Sequence, residues 1–553
     1  MGTFRLGINM AGAVSAGSYT AGVLDFLVEA LDEWQAAKER GDAVPRHELS
    51  LDVFSGASAG GMCAAIASAM VQGEFDHIHD TRLVGTTNRF YESWVNKIDI
   101  TRLLEQNDLR DGEPVYSLLD CTVIDEIAQY AIVPGAPKQR TYIPSNLTLL
   151  LTLTNLTGIP YSLPSVGDSS LDESALYHAD RLRFETVLPG GTPSTPSAKP
   201  LPLGQPTEGA WPLLQEAAKA TGAFPIFLRP RQIQRDIVDY TPPMWDSLNP
   251  PPHAPPPVSP NWPKNTTAIG TINVDGGVID NDPFTLAHDY VASRKPTAKD
   301  NENPREPLKA DRAVVTVAPF PAQGKFVAAP DFSQGATVPA AIGQLLSVFI
   351  SQSRFFGESL ALITAGTSSR FVIAPSDPSQ PAKLALQGAS LGAFGGFFER
   401  SFRAHDFQLG RRNCQQFLRY HFALPVGNPI IADGLASLGS RSADAVAKFG
   451  VNAPPDARSQ HDSRWIPIIP LCSDRVTEDV PNPARGQISR TKLEEITDLV
   501  AKRISGVLPA LLRDLPSEPL RFCLGGAAKL GLWFGKGKIR DYLMAQLGDS
   551  IGS

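Results

Sequence analysis

Apolar residues in the first half of the chain recur with two alternating rhythms. Short strand-like runs stand at Phe4–Asn9, Leu49–Phe54, Leu147–Thr154, Ile269–Asp275 and Ala313–Ala318. Between them, Ala21–Lys38 carries Val23, Phe26, Leu27, Ala30, Leu31 and Trp34 on one helical face, and Met62–Met70 reads as a buried helix. A further helix is expected at Phe284–Arg294. The largely apolar Leu147–Thr154 suits the middle of a sheet covered on both faces, and the alternation of strand and helix predicts a largely parallel sheet between helical layers. From about residue 338 the pattern turns mostly helical, with candidates at Val338–Ile363, Gly395–Phe422 and Lys492–Leu515. The expected division is therefore an α/β domain over 1–335 and a mostly helical region over 336–553, packed on the first or separate from it. Ten prolines among the 22 residues 242–263 make that stretch a surface insertion between strands, and 189–208 reads as a second loop of this kind.

Composition narrows the class without naming a function. The 553 residues are 42% hydrophobic and 19% charged, as in soluble globular proteins. A net charge of -7 gives no support for a nucleic-acid partner. Five dispersed cysteines without a Cys-x-x-Cys suggest neither a disulfide framework nor a zinc site and fit a reducing, cytoplasmic setting. Met1–Leu6 runs directly into a strand, with no secretory signal pattern. The long uncharged runs Val53–Gly73, Thr141–Gly167 and Phe332–Ser353 are too rich in Gly, Ser, Thr, Asn, Gln or Pro to read as membrane spans.

Candidate chemistry begins at Gly56-Ala57-Ser58-Ala59-Gly60, a Gly-x-Ser-x-Gly sequence between a strand and a helix. That context holds a serine on a tight turn at a helix N-terminus, with the flanking Gly56 and Gly60 permitting close packing. The competing reading is a small-residue loop that binds nothing. A serine nucleophile needs a base, and Asp275-Gly276-Gly277 ends a later strand, followed by Asn281 and Pro283. A partly desolvated carboxylate can serve, although Asp-Gly is also a common hairpin turn.

Taken in order, these elements resemble the patatin-like phospholipases, serine acyl hydrolases with a Ser–Asp dyad. The segment Ala220-Thr221-Gly222-Ala223-Phe224-Pro225-Ile226-Phe227 is similar to the family's Ala-Ser-x-Ala-x-Pro-x-x-Phe and stands between the other two motifs. The resemblance covers roughly residues 4–320. It implies a three-layer patatin-like fold, Ser58 as nucleophile, Asp275 as base, and an oxyanion hole of backbone amides at Gly12, Ala13 and Val14. In that turn the family typically has Asp-Gly-Gly-Gly-x-Arg-Gly, whereas this chain has Ala11-Gly12-Ala13-Val14-Ser15-Ala16-Gly17. It looks more like a variant with Gly-Gly-Val-Ser there. Backbone donors do not depend on the missing side chains. A phosphate-cradling loop is excluded, because Ser18 rather than Lys follows Gly17.

A Ser-His-Asp triad is the rival arrangement. His178, His253, His288, His405, His421 and His461 follow the serine, and each reads as a surface or packing residue. His77 and His79 beside Asp76 and Asp80 lack a second ligand cluster, so no metal is expected. The Gly- and Phe-rich run Leu391–Phe398 fits core packing or an acyl-chain groove. Leu520–Leu543 mixes aromatic and basic residues and could rest on an anionic membrane surface, though its four glycines between 525 and 535 weaken it as a helix. The expectation is a cofactor-independent hydrolase of lipid esters acting through an acyl-enzyme, cytoplasmic or peripheral at a membrane. An acyltransferase on the same fold and a non-catalytic scaffold are the alternatives.

Overall fold

The computed structural model describes residues 2–163, 173–240, 259–294, 303–320, 369–381, 384–453, 464–513 and 537–552. Its centre is a nine-stranded sheet. Strands β1 (Thr3–Met10), β2 (Glu48–Gly56), β3 (Thr148–Leu163), β4 (Glu173–Val187), β5 (Ala198–Pro202), β6 (Arg231–Asp236), β7 (Ala268–Asp275), β8 (Arg312–Val317) and β9 (Arg370–Ile373) build it. The main path runs β5-β4-β3-β2-β1-β8-β9, with β7 bridging β3 and β6. The run from β3 to β9 is parallel throughout, whereas β4 and β7 lie antiparallel to β3.

The pleat separates two cores. Phe4, Leu6, Ile8 and Met10 of β1 share one core with Ala313, Val315 and Val317 of β8. Helices α1 (Gly17–Glu39), α2 (Ser58–Met70) and α3 (Trp211–Thr221) cover that face. On the other face Val53, Leu150 and Val314 pack against Phe284, Leu286, Ala287, Tyr290 and Val291 of α4 (Phe284–Ser293). This is a three-layer α/β/α arrangement with a mostly parallel sheet, and near-continuous apolar strands are its sequence consequence.

Residues beyond 335 join this architecture. β9 extends the same sheet beside β8. Helix α5 (Arg400–Tyr420) contributes Phe407, Leu409, Cys414, Phe417 and Leu418 to the core that α1 shares. The described residues after 384 are mainly helical, ending with α6 (Arg490–Arg513) and a helical stretch over 537–547. Leu493 and Ile496 of α6 form a smaller cluster with Ile98, Ile100, Leu103, Phe397 and Phe402. Among the described residues no helix is long and apolar enough to cross a membrane.

Several elements differ from the sequence expectations. Residues 189–208 are not all loop, because Ala198–Pro202 pairs with β4 as the outermost strand. An edge position tolerates its prolines, which a central strand would not. Helix α1 starts at Gly17 rather than Ala21, straight out of a tight 3₁₀ turn at Val14–Ala16. The helical run expected from Gly395 begins at Arg400, after 3₁₀ turns at Gln387–Ala389, Leu391–Ala393 and Gly395–Phe398. Most of the proline-rich insertion, the Val338–Ile363 helix, most of the Leu520–Leu543 run, His253, His461 and Cys523 lie outside the described residues. Cys63, Cys121, Cys414 and Cys472 are free thiols.

Candidate active site

Sheet register brings Ser58 and Asp275 together. Gly56, the last residue of β2, pairs with Leu151 of β3. β3 continues past that point, and Leu153 pairs with Asp275, the last residue of antiparallel β7. Ser58 opens α2 with φ +53°, a left-handed conformation that costs a non-glycine residue about 1–2 kcal/mol. Its Oγ donates to Asp275 Oδ2 at 2.7 Å. Two further bonds to the C-terminal end of α3 and the residues just after it fix the pair: Ser58 N–H donates to Thr221 Oγ1 at 3.0 Å, and Asp275 N–H donates to the Ala223 carbonyl at 3.0 Å.

The electrostatics suit proton transfer. Asp275 is 2% exposed, and burial pushes its carboxyl up to about 7. The hydrogen bonds from Ser58 and from the Gly277 amide, which reaches Oδ1 at 2.7 Å, oppose that rise without cancelling it. Ser58 lies at the N-terminus of α2, where the helix dipole favours negative charge.

The turn Ala11–Gly17 runs past the serine. Gly12 has no room for a side chain, since a Cβ there would strike Asn281 Oδ1 and come within 3.0 Å of Ser58 Cβ. The Gly12 amide donates to the Asn281 carbonyl at 3.0 Å. Among the described residues the Ala13 and Val14 amides donate to no protein acceptor. Val14 holds φ +47°. On the other side, Gly60 presses its bare Cα against the Met10 carbonyl, docking α2 on the end of β1.

An apolar pocket opens beside Ser58 and encloses about 840 Å³ of empty space, the solvent at its mouth included. Val14, Met62, Leu119, Ile124, Phe224 and Phe394 are among its walls. Nearly all of its lining is hydrocarbon, which suits an alkyl chain rather than a polar group.

Residues 9–288 match the family model described as patatin-like phospholipase. The chain belongs to the patatin-like phospholipase family. Its relatives include an uncharacterized protein, y4iI, of Sinorhizobium fredii, 32% identical over 99% of this chain and 81% of that protein. A comparison with the crystal structure of VipD from Legionella pneumophila covers 97% of this chain and 91% of that one. At 11% identity and a TM-score of 0.21 it is too distant to establish a shared fold. Members of the patatin-like family are lipid acyl hydrolases, and lipid is the substrate class that membership implies.

In this patatin-like chain the structure brings Ser58, Asp275, Gly12, Gly56 and Gly60 into one constellation. The Gly12 amide is engaged by Asn281, which separates it from Ala13 and Val14. The described histidines have partners elsewhere. His178 Nδ1 lies 2.7 Å from the Asn155 carbonyl, His288 Nδ1 3.2 Å from Asp289, and His405 Nδ1 2.9 Å from Asp406. His77 and His79 meet Asp25 and Glu29 at 3.0 and 2.9 Å, rather than Asp76 and Asp80. Among the described residues no group of three or more His, Cys, Asp and Glu could hold a metal ion. Thr221 and Asn281 stand within the sequence motifs, but nothing there points to their contacts with Ser58 and Gly12. Phe394 and Phe397, both in the pocket wall, come from the Leu391–Phe398 run, which therefore serves core packing and the pocket together.

Proposed function

We propose that this patatin-like protein hydrolyses an ester bond of a lipid through an acyl-enzyme, with Ser58 as nucleophile and Asp275 as base. The observation that carries the reading is the 2.7 Å hydrogen bond from Ser58 Oγ to a carboxylate whose pKa is raised to about 7, beside an apolar pocket. Ser58 Oγ attacks the ester carbonyl carbon while its proton passes to Asp275 Oδ2. The carbonyl oxygen takes the negative charge and is held by the Ala13 and Val14 amides, supported by the α2 dipole. Collapse expels the alcohol, which leaves with the proton held by Asp275. Water then gives a proton to Asp275 and attacks the acyl-serine. The fatty acid departs and Ser58 recovers its proton. No cofactor enters either half.

A fluorophosphonate probe and a panel of phospholipid and lysophospholipid esters test this reading. Wild-type protein should take up the probe at Ser58 and release free fatty acid, and Ser58→Ala should do neither. A folded wild-type protein inert to both would overturn it.

A further inference from the structure

Residues 387–398 lie well outside the stretch matched by the family model, yet they close on the turn that carries Ala13 and Val14. The contact is Ser15, which is 1% exposed. Its Oγ donates to the Ala393 carbonyl at 2.5 Å, lies 3.4 Å from the Gly388 carbonyl, and accepts from the Gly396 amide at 3.2 Å. A Cβ on Gly396 would press on Ser15 itself, so this approach depends on glycine. Behind the loop stands Asp406 of α5, fully buried. Its Oδ1 accepts from the Gln387 amide at 2.8 Å and its Oδ2 from the Gly388 amide at 2.9 Å. His405 Nδ1 sits 2.9 Å from the same Oδ1.

Strain is stored on both sides of the Ser15 contact. Val14 holds φ +47°, and across the hydrogen bond Leu391 and Ala393 hold +54° and +74°. Left-handed backbone at residues with a Cβ is unfavourable and persists only where neighbours enforce it. The upstream end of the turn is tied by the Gly12 amide to Asn281. The downstream end is held by Ser15 and by the 3₁₀ turn Val14–Ala16 that contains it, closed by the Ala16 amide donating to the Ala13 carbonyl at 2.9 Å. The amides of Ala13 and Val14 lie between these two ties.

We infer that Ser15 and Asp406 are positioning residues for the oxyanion-holding turn, with Asp406 anchoring the 387–396 loop and Ser15 stapling Val14 to it. The inference rests on the proposed acyl-transfer chemistry. It assigns a catalytic consequence to a region outside the family domain. Neither residue touches substrate, and both act by fixing where the Ala13 and Val14 amides point.

Displaced donors weaken binding of the transition state while leaving substrate binding largely alone. Ser15→Ala should therefore lower kcat on the order of ten- to a hundredfold with KM within about twofold. Affinity for a trifluoromethyl ketone lipid, which forms a tetrahedral oxyanion on Ser58, should fall by the same factor. Affinity for a non-hydrolysable ether lipid should not change. Asp406→Asn, which keeps the shape but leaves one backbone amide unanswered, should move the same quantities in the same direction. If Asp406→Asn fails to fold, Ser15→Ala decides alone, since it only removes an atom. The inference is overturned if Ser15→Ala retains kcat and ketone affinity within twofold, or if ether-lipid affinity falls equally, which would mark general loosening. A wild-type protein inert to esters and fluorophosphonate would instead remove the underlying chemistry, a result separate from either of these.

Discussion

Asp275 sits opposite Leu153 in the β3–β7 ladder, two residues along β3 from the Leu151–Gly56 pair. That offset spans the step from Gly56 to Ser58, so the dyad is a matter of strand register. A one-residue slip of β7 would turn the carboxyl to the other face of the sheet.

Ser58→Ala and Asp275→Asn should each abolish ester turnover in a folded protein, and the double variant should be little worse than either, because the pair acts as one unit. His178→Gln and His288→Gln should keep most of the activity, as neither side chain bonds to the dyad. Steady-state hydrolysis by the four single variants checks this. A histidine change as damaging as Asp275→Asn would establish a triad.

On the proposed chemistry Asp275 must be ionised to accept the serine proton. With the Asp275 carboxyl held at about 7, kcat/KM should fall tenfold per pH unit below that value and level off above it. A profile from pH 5 to 9 on a soluble ester reads this directly. An acid limb near 4 would mean an unperturbed carboxylate.

Stability should show the opposite trend for this group. Its folded pKa, about 7, lies above the ordinary aspartate value of 3.8, so between those values the native state binds the extra proton. Unfolding free energy contributed by Asp275 is therefore fully present below about 4 and is lost as pH rises toward 7. Asp275→Asn, neutral at every pH, should be more stable than wild type at pH 8. The gain should reach a few kcal/mol, since each pH unit separating the folded and unfolded pKa is worth about 1.4 kcal/mol. At pH 4 the two should be nearly equal. Urea melts at the two pH values settle it, and a variant less stable than wild type at pH 8 would contradict the raised pKa.

Chain-length preference follows from the hydrocarbon lining of the pocket. Each methylene buried contributes about 0.8 kcal/mol, so kcat/KM should rise about fourfold per methylene until the pocket is filled. A series of acyl esters from butyryl to palmitoyl measures the slope. Activity confined to acetyl and butyryl esters would remove the lipid assignment.

The parallel strands β1, β2, β3 and β8 could be read from the sequence because each carries a core of large aliphatic or aromatic residues next to a turn or helix signal. β6 could not. Its inward positions include Arg231 and Arg235, buried because they meet Asp125 at 2.7 Å and Asp180 and Asp239 at 3.0 Å each. Hydrophobic periodicity cannot register a strand that buries arginines. β5 was hidden by its prolines for the same kind of reason. At the site, Ser58, Asp275 and the turn could be listed in order, yet their proximity rested on resemblance, since no local pattern encodes a register two strands away. The Ser15–Ala393 contact spans 378 positions, and although Ser15 ends the Gly-Ala-Val-Ser turn, nothing in that motif points to a partner so far along the chain.

That separation also sets a timetable. A chain made at about 5–20 residues per second presents Ser15 roughly 20 to 75 s before Ala393 exists to accept its hydrogen bond. In the last part of that interval, once Asp275 has been added, the ribosome holds a chain that contains both Ser58 and Asp275 but lacks Phe394, Phe397 and the loop that braces the turn. On the proposed chemistry, competence therefore arrives late in synthesis. Until then the nascent chain carries its serine beside a turn that is not yet held.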